Sequence, residues 1–311
     1  MKLGFSLPIA GAWALPENQV QVARRAEALG YDSLWVFQRL LYAIEPKDDY
    51  PPLPGQKWPK AFERVADPIV TLAYVAAATK RIRLGTGVLI MPFYAPVVLA
   101  KQLATLDLVS SGRLEVGLAI GWSKDEFEAV GVPFSQRGKR ADEFLQCIKA
   151  IWTKDVVEFR GKFYQVPRSK VEPKPVQRPH PPIIIGGYTR FAVKRAVAFA
   201  DGFIGGNVPL ADVAPLVKEL KVAAEAAGRD PKGLHIISRG TFQLHESPQG
   251  KDRRPLWGSL KEIREDIRRY AEAGLTELFL EANLDPNMTL DRVLEAMTDL
   301  APRQLELRTA C

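Results

Sequence analysis

An α/β fold with eight parallel strands closed into a barrel is what this sequence predicts, on three observations. Its strand candidates are short apolar runs rather than polar–apolar alternations, as parallel strands buried on both faces should be. Each run is followed by a segment of helical period and helix length, the connection that parallel neighbours require. The strand–helix unit recurs eight times, and residues 26–36 and 271–280 even repeat one pattern of Ala-Glu-Ala, Gly and an apolar run. Eight such units make a β/α (TIM) barrel, with a doubly wound open sheet as the alternative.

Residues 3–9 read as the first strand. Residues 17–29 read as the first helix, with Val20, Ala23, Ala26 and Leu29 at three-residue steps and Gly30 as its stop. Strand two spans 33–37. A Pro- and aromatic-rich loop without period, 38–65, leads to a helix that Asp67-Pro68 opens with a capping carboxylate and a first-turn proline. Strand three covers 82–89, helix three 97–109 and strand four 114–120. The main insertion lies between strands four and five. It holds a helix marked by Phe144, Ile148, Ile151 and Trp152, a hairpin over 156–166 turning at Gly161, and the Pro-rich run 173–182. Strands five to eight follow at 183–185, 202–205, 234–238 and 277–281, and the whole chain, 1–311, reads as one domain.

The composition, 47% hydrophobic and 25% charged, is that of a globular chain able to bury a large core. Two cysteines, Cys147 and Cys311, and three scattered histidines, His180, His235 and His245, form no disulfide or metal pattern. No metal is expected, and a reduced, cytoplasmic setting is. The apolar start is interrupted by Gly4, Ser6, Pro8 and Gly11, so it reads as a strand rather than a cleaved leader. No run approaches the length of a membrane span. The net charge of +7 is dispersed among acids without basic–aromatic runs, which argues against nucleic acid and leaves an acidic small ligand open.

In such a barrel the active site lies at the carboxyl ends of the strands. Gly186-Gly187-Tyr188-Thr189 ends strand five just before a helix. It is a phosphate loop, with free N–H groups and a positive dipole end, or a plain strand-to-helix turn. Glycines inside strand three, at Gly85 and Gly87, mark either a bulge that backs a flat ring or a barrel corner. Trp122, after strand four, walls a pocket or simply packs. Glu281 is the carboxylate placed at a strand end facing the mouth, whereas Asp125 and Glu126 read as a solvated helix face. No nucleophile beside a histidine and no carboxylate pair emerges, so a bound cofactor is expected to carry the chemistry.

Several motifs then resemble the luciferase-like family, in order and over nearly the whole chain. They are Leu84-Gly85-Thr86-Gly87-Val88, the run Ser-Gly-Arg-Leu-Glu-Val-Gly at 111–117, the stretch 121–131 opened by Gly121-Trp122, Pro133-Phe134, Arg137-Gly138, and the Pro-rich lead into 183–187. The resemblance implies FMN or the deazaflavin coenzyme F-420 in the barrel mouth. It implies a bulge in strand three, often with a non-prolyl cis peptide, matched here by Gly87 and Val88. It implies ring and ribityl contacts at Ile120, Gly121 and Trp122, a phosphate loop at Gly186, Gly187, Tyr188 and Thr189, and further cofactor contacts at Phe37 and Gln38.

Two positions depart from the family pattern. Gln38-Arg39 stands where many deazaflavin members carry Asp-His, and Trp122 where the sugar-phosphate dehydrogenases carry a catalytic Glu. Sugar-phosphate oxidation is therefore not expected, and the proton donor falls to Tyr42, Tyr94, Glu281 or the substrate. Arg39 takes the place of the histidine as an anion or carbonyl partner, and Trp122 flanks the ring. The motif after strand four and the basic charge favour F-420, hence hydride transfer to or from a small organic substrate. An FMN-dependent monooxygenase is the alternative, and a non-catalytic flavin-binding protein the second. The loop 40–58 suits an apolar or aromatic substrate, and homodimers are common in families resembling this one.

Overall fold

The computed structural model describes residues 1–52, 55–285 and 287–305; Cys311 and two residues of the long loop lie outside them. Eight strands form the barrel: β1 (Lys2–Ser6), β2 (Ser33–Val36), β3 (Arg83–Thr86), β4 (Leu114–Ala119), β5 (Ile183–Gly186), β6 (Gly202–Gly206), β7 (His235–Thr241) and β8 (Glu277–Glu281). All pair in parallel, in the order β3-β2-β1-β8-β7-β6-β5-β4, and pairing of β3 with β4 closes the ring. Nine helices are described: α1 (Pro16–Leu29), α2 (Pro68–Ala78), α3 (Pro96–Val109), α4 (Lys124–Ala129), α5 (Arg137–Thr153), α6 (Arg190–Phe199), α7 (Leu210–Ala226), α8 (Leu260–Glu272) and α9 (Leu290–Asp299). The connection from β4 to β5 carries α4, α5 and an antiparallel hairpin of Val157–Arg160 with Gln165–Ser169.

Local chemistry sets the helix ends. Gly30 stops α1 at φ +84°, a conformation that costs glycine little. The Asp67 carboxylate accepts the Val70 N–H at 2.9 Å and starts α2. Ser259 and Glu262 form a reciprocal capping box at α8.

The barrel interior is sorted by height. At its floor Arg83 sits between Glu115 and Glu277, and Glu277 also takes the Ser33 hydroxyl and, at 3.0 Å, Trp35 Nε1. Buried charges are tolerable only when paired in this way. Above the floor Trp35 stacks on Phe279, ring centroids 5.1 Å apart, among Ile184, Ile204, Ile237 and Val88. Gly85 gives Trp35 its room: a Cβ there would lie 2.4 Å from the indole.

Three expectations need correction. Strand three is not continuous over 82–89: β3 ends at Thr86, and Leu89–Ile90 resume alongside β4. Strand seven does not stop at 238 but runs on to Thr241, which carries Arg239 into the mouth. Glu126 is not on a solvated face; it is buried and paired with Arg39 at 2.6 Å.

Candidate active site

Strand β3 breaks at the mouth because its neighbour permits it. The Thr86 hydroxyl donates to Gly117 O at 2.9 Å and accepts Gly117 N–H at 2.8 Å, replacing the ladder there. A Cβ on Gly117 would lie 1.8 Å from Thr86 O, so only glycine fits opposite the break. The Gly87–Val88 peptide is cis, and Gly87 N donates to Val36 O at 2.6 Å. Gln38 holds the chain beyond the break: its Oε1 accepts Ile90 N–H at 2.8 Å and its amide donates to the Tyr94 hydroxyl. Burial pushes the Tyr94 phenol up to about 12, so it stays protonated at neutral pH.

Above this break the mouth holds two lobes of one cleft. The smaller, about 320 Å³, is lined by Phe37, Gln38, Arg39, Gly87, Val88, Ile120, Gly121, Trp122, Gly186, Gly187, Tyr188 and Thr189. Every residue expected to touch a cofactor therefore faces one cavity, together with Arg39. Glu281 lines neither lobe. It is buried, and its Oε1 accepts both the backbone and side-chain N–H of Asn283 at 2.7 Å. Asn283 in turn satisfies Ile9 and Ala10 N–H after β1 has ended, so the carboxylate anchors a turn.

Among the described residues the smaller lobe is lined by four arginines, Arg39, Arg137, Arg195 and Arg239, and by no Asp, Glu or His. Arg39 is clamped: Glu126 holds it from behind, and its guanidinium lies 4.4 Å from the Trp122 ring centroid. Burial acts against both charges of this pair, lowering the Arg39 pKa and raising that of Glu126. Trp122 is further packed edge-on by Trp58 at 5.1 Å and against Tyr50 at 5.7 Å, both from the long loop after β2. That loop is thus an aromatic wall of the cavity, with Tyr50, Trp58 and Phe62 buried; Tyr42 meets Trp58 and lines neither lobe.

Arg137 and Arg195 flank the turn from β5 to α6. Thr189 makes no side-chain capping bond, which leaves the start of α6 to a ligand or solvent. Arg195 Nε pairs with Asp142 at 2.5 Å, and Arg137 lies 3.7 Å over Phe134 with its Nε–H lacking an acceptor. The two glycines are also needed for packing: a Cβ on Gly186 would meet Val88 at 2.8 Å, and one on Gly187 would meet Ala192 at 2.6 Å. A cradle of this shape, floored by glycine and lined by cations, fits an anionic cofactor tail.

Sequence reasoning placed Arg239 just past a strand end, among the stretches that could reach the mouth, but gave it no role. It donates to the Tyr50 hydroxyl at 3.0 Å, and its buried Nε–H has no acceptor. Among the described residues no carboxylate lies within 4.0 Å of it; Glu281 acts on it only through space. The signal was an arginine between Ser238 and Gly240 on a strand that points into the barrel, where a charge needs a reason.

The luciferase-like monooxygenase family matches residues 1–254. The chain belongs to the luciferase-like family. Members of this family are flavin- or deazaflavin-dependent oxidoreductases and monooxygenases, and the chain is an enzyme of that kind. It is 34% identical over 229 residues to an uncharacterized protein of Mycobacterium tuberculosis, covering 72% of this chain and 78% of that one. It is 35% identical over 179 residues to the FMNH(2)-dependent dimethylsulfone monooxygenase of Pseudomonas putida, covering 55% of this chain and 49% of that one. Among solved structures, monooxygenase RslO1 from Streptomyces bottropensis superposes with a TM-score of 0.83 at 23% identity, over 98% of this chain and 99% of that one. An F420-dependent secondary alcohol dehydrogenase superposes with 0.76 at 17% identity, over 96% and 98%. These two likenesses speak to the fold.

Proposed function

We propose that this luciferase-like enzyme binds reduced FMN in the smaller lobe and catalyses monooxygenation of a small organic substrate. One observation carries the reading: Gly87–Val88, Ile120–Trp122 and Gly186–Thr189 meet in a single cavity lined, among the described residues, by four arginines and no acid. The phosphate would lie at the start of α6 between Arg137 and Arg195, and the ring between Val88 and Trp122. Bound there, reduced FMN supplies the electrons for oxygen insertion. The protein's own part is to orient the ring, to exclude water with the aromatic loop, and to present Arg239 where negative charge develops. The choice of FMN rests on the Pseudomonas putida relative, whose identity is well above that of the F420-dependent structures.

Hydride transfer with F-420 is the second reading. It is favoured by the turn at Ile120–Trp122 and by the surplus of basic residues, which suits an acidic tail. Titration of the protein with FMN and with F-420, followed by aerobic and anaerobic turnover of the reduced forms, decides between them. Oxygen-dependent product formation with reduced FMN is expected. Anaerobic oxidation of reduced F-420 coupled to substrate reduction would give the site to the deazaflavin. Ligand binding without turnover in either assay would leave a flavin-binding protein.

We also propose a homodimer through α2. Its outward stripe, Val70, Ala73, Tyr74 and Ala77, is apolar at every exposed position, and α3, packed beside it, leaves Val98, Leu108 and Val109 exposed. A solvated helix face is normally polar.

A further inference from the structure

The larger lobe has a volume of about 1010 Å³ and opens from the same mouth, on the side of β6, β7 and α7. The two lobes share Tyr50, Tyr188, Gly205 and Gly206. The passage is narrow at Gly206, where an added Cβ would lie 2.3 Å from the Tyr188 hydroxyl and 3.3 Å from Arg239 Nη2. Phe203, Leu216, Phe242, Leu256 and Trp257 give the lobe a largely apolar wall, and charged side chains such as Lys60, Arg190, Asp212, Glu219 and Arg254 also line it. Ligand sites for drug-sized molecules run to about 1,000 Å³ with apolar walls and few polar contacts, so this lobe is a site rather than a packing gap.

We infer that the larger lobe is the substrate site, and that its substrate is a bulky, mainly apolar molecule with an anionic head directed through the Gly206 passage at Arg239. This rests on the smaller lobe being the cofactor site. The head is assigned by Arg239, a buried guanidinium at the junction whose hydrogen-bond partner is the Tyr50 phenol and which has no carboxylate within 4.0 Å among the described residues. Binding an anion would complete its pairing. The body is assigned by the wall residues and the volume, which far exceed what dimethylsulfone, named for the Pseudomonas putida relative, would fill.

The probe is a series of n-alkanoates from butanoate to dodecanoate, with the matching n-alkanols, titrated into the full chain by calorimetry. FMN binding is followed separately by fluorescence quenching. Affinity should rise about fourfold per methylene, the value of burying a CH₂. Leu216→Trp, which fills the far wall, should truncate that series while butanoate and FMN affinities stay put. Arg239→Met should weaken alkanoates about tenfold or more and leave alkanols unchanged. Affinity independent of chain length, or a series that Leu216→Trp does not shorten, overturns the proposal. The unmodified chain alone gives the length series, so misfolding of a variant does not remove the test. A full length series with binding of neither FMN nor F-420 would uphold the larger lobe and reject the cofactor reading of the smaller one.

Discussion

Two arginines at the mouth do opposite work. Arg39, expected at the mouth as a substrate partner, does face the cavity, but its charge is committed to Glu126 and its flat face to Trp122. Burial disfavours both charges, so the pair stiffens the wall at a net electrostatic cost. Removing one partner is worse than keeping both. Glu126→Ala should therefore destabilise the protein by about 3–5 kcal/mol in urea denaturation, by stranding Arg39. A loss below about 1 kcal/mol would show that Arg39 finds water. Arg137 is the free counterpart, with an unpartnered N–H beside the start of α6. Arg137→Ala should weaken FMN binding about tenfold to a hundredfold by fluorescence titration, the range of one charged hydrogen bond, with little change in melting temperature. It is a cleaner probe than Gly187, where any side chain would also push Ala192 and α6.

At the scale of elements, ends matter more than middles. The start of α8 depends on the Glu262 carboxylate, which accepts backbone N–H groups of Ser259, Gln249 and Gly250. The bond from the Ser259 N–H is the largest influence, and the carboxyl is held down at about 2. A carboxyl depressed in the folded state contributes stability above its unfolded value, about 4.3, and loses it as pH falls toward 2. Amide protection at the start of α8 should therefore fall between about pH 4 and pH 2. Glu262→Gln should flatten that dependence; an unchanged pH profile in the variant would place the acid sensitivity elsewhere. The break in β3 is likewise an end effect. It follows from Thr86 bonding to Gly117 in place of the strand ladder, and it puts Val88 at the mouth.

For the whole molecule, the closed barrel leaves each helix one outward face; that of α2 is apolar at every exposed position, and α3 exposes Val98, Leu108 and Val109 beside Lys101, Gln102 and Thr105. Light scattering after gel filtration should report a dimer, and Tyr74→Glu should convert it to a monomer that keeps FMN affinity. A monomer in the unmodified protein would sink the idea. No helix among the described residues is long and apolar enough to cross a membrane.

Much of this was legible in the sequence, for a physical reason. Helix and strand periodicity, capping residues and glycine stops are local, so the eight strand–helix units could be counted, and with them the barrel and its working end. The glycines of the mouth were legible too, because a backbone that must approach another group excludes a side chain wherever it folds. What the sequence could not say is which charges would face one another. Glu126 looked solvated because its partner, Arg39, is 87 positions away. Glu281 looked available because Asn283 satisfies Ile9 and Ala10 only once β8 lies beside β1. Arg239 fell just past the strand end read at 238 and carried no role until pairing with β8 carried β7 on to Thr241. Burial and ion pairing depend on contacts far apart in the chain, so the tertiary structure alone decided which cation at the mouth is spent and which is free.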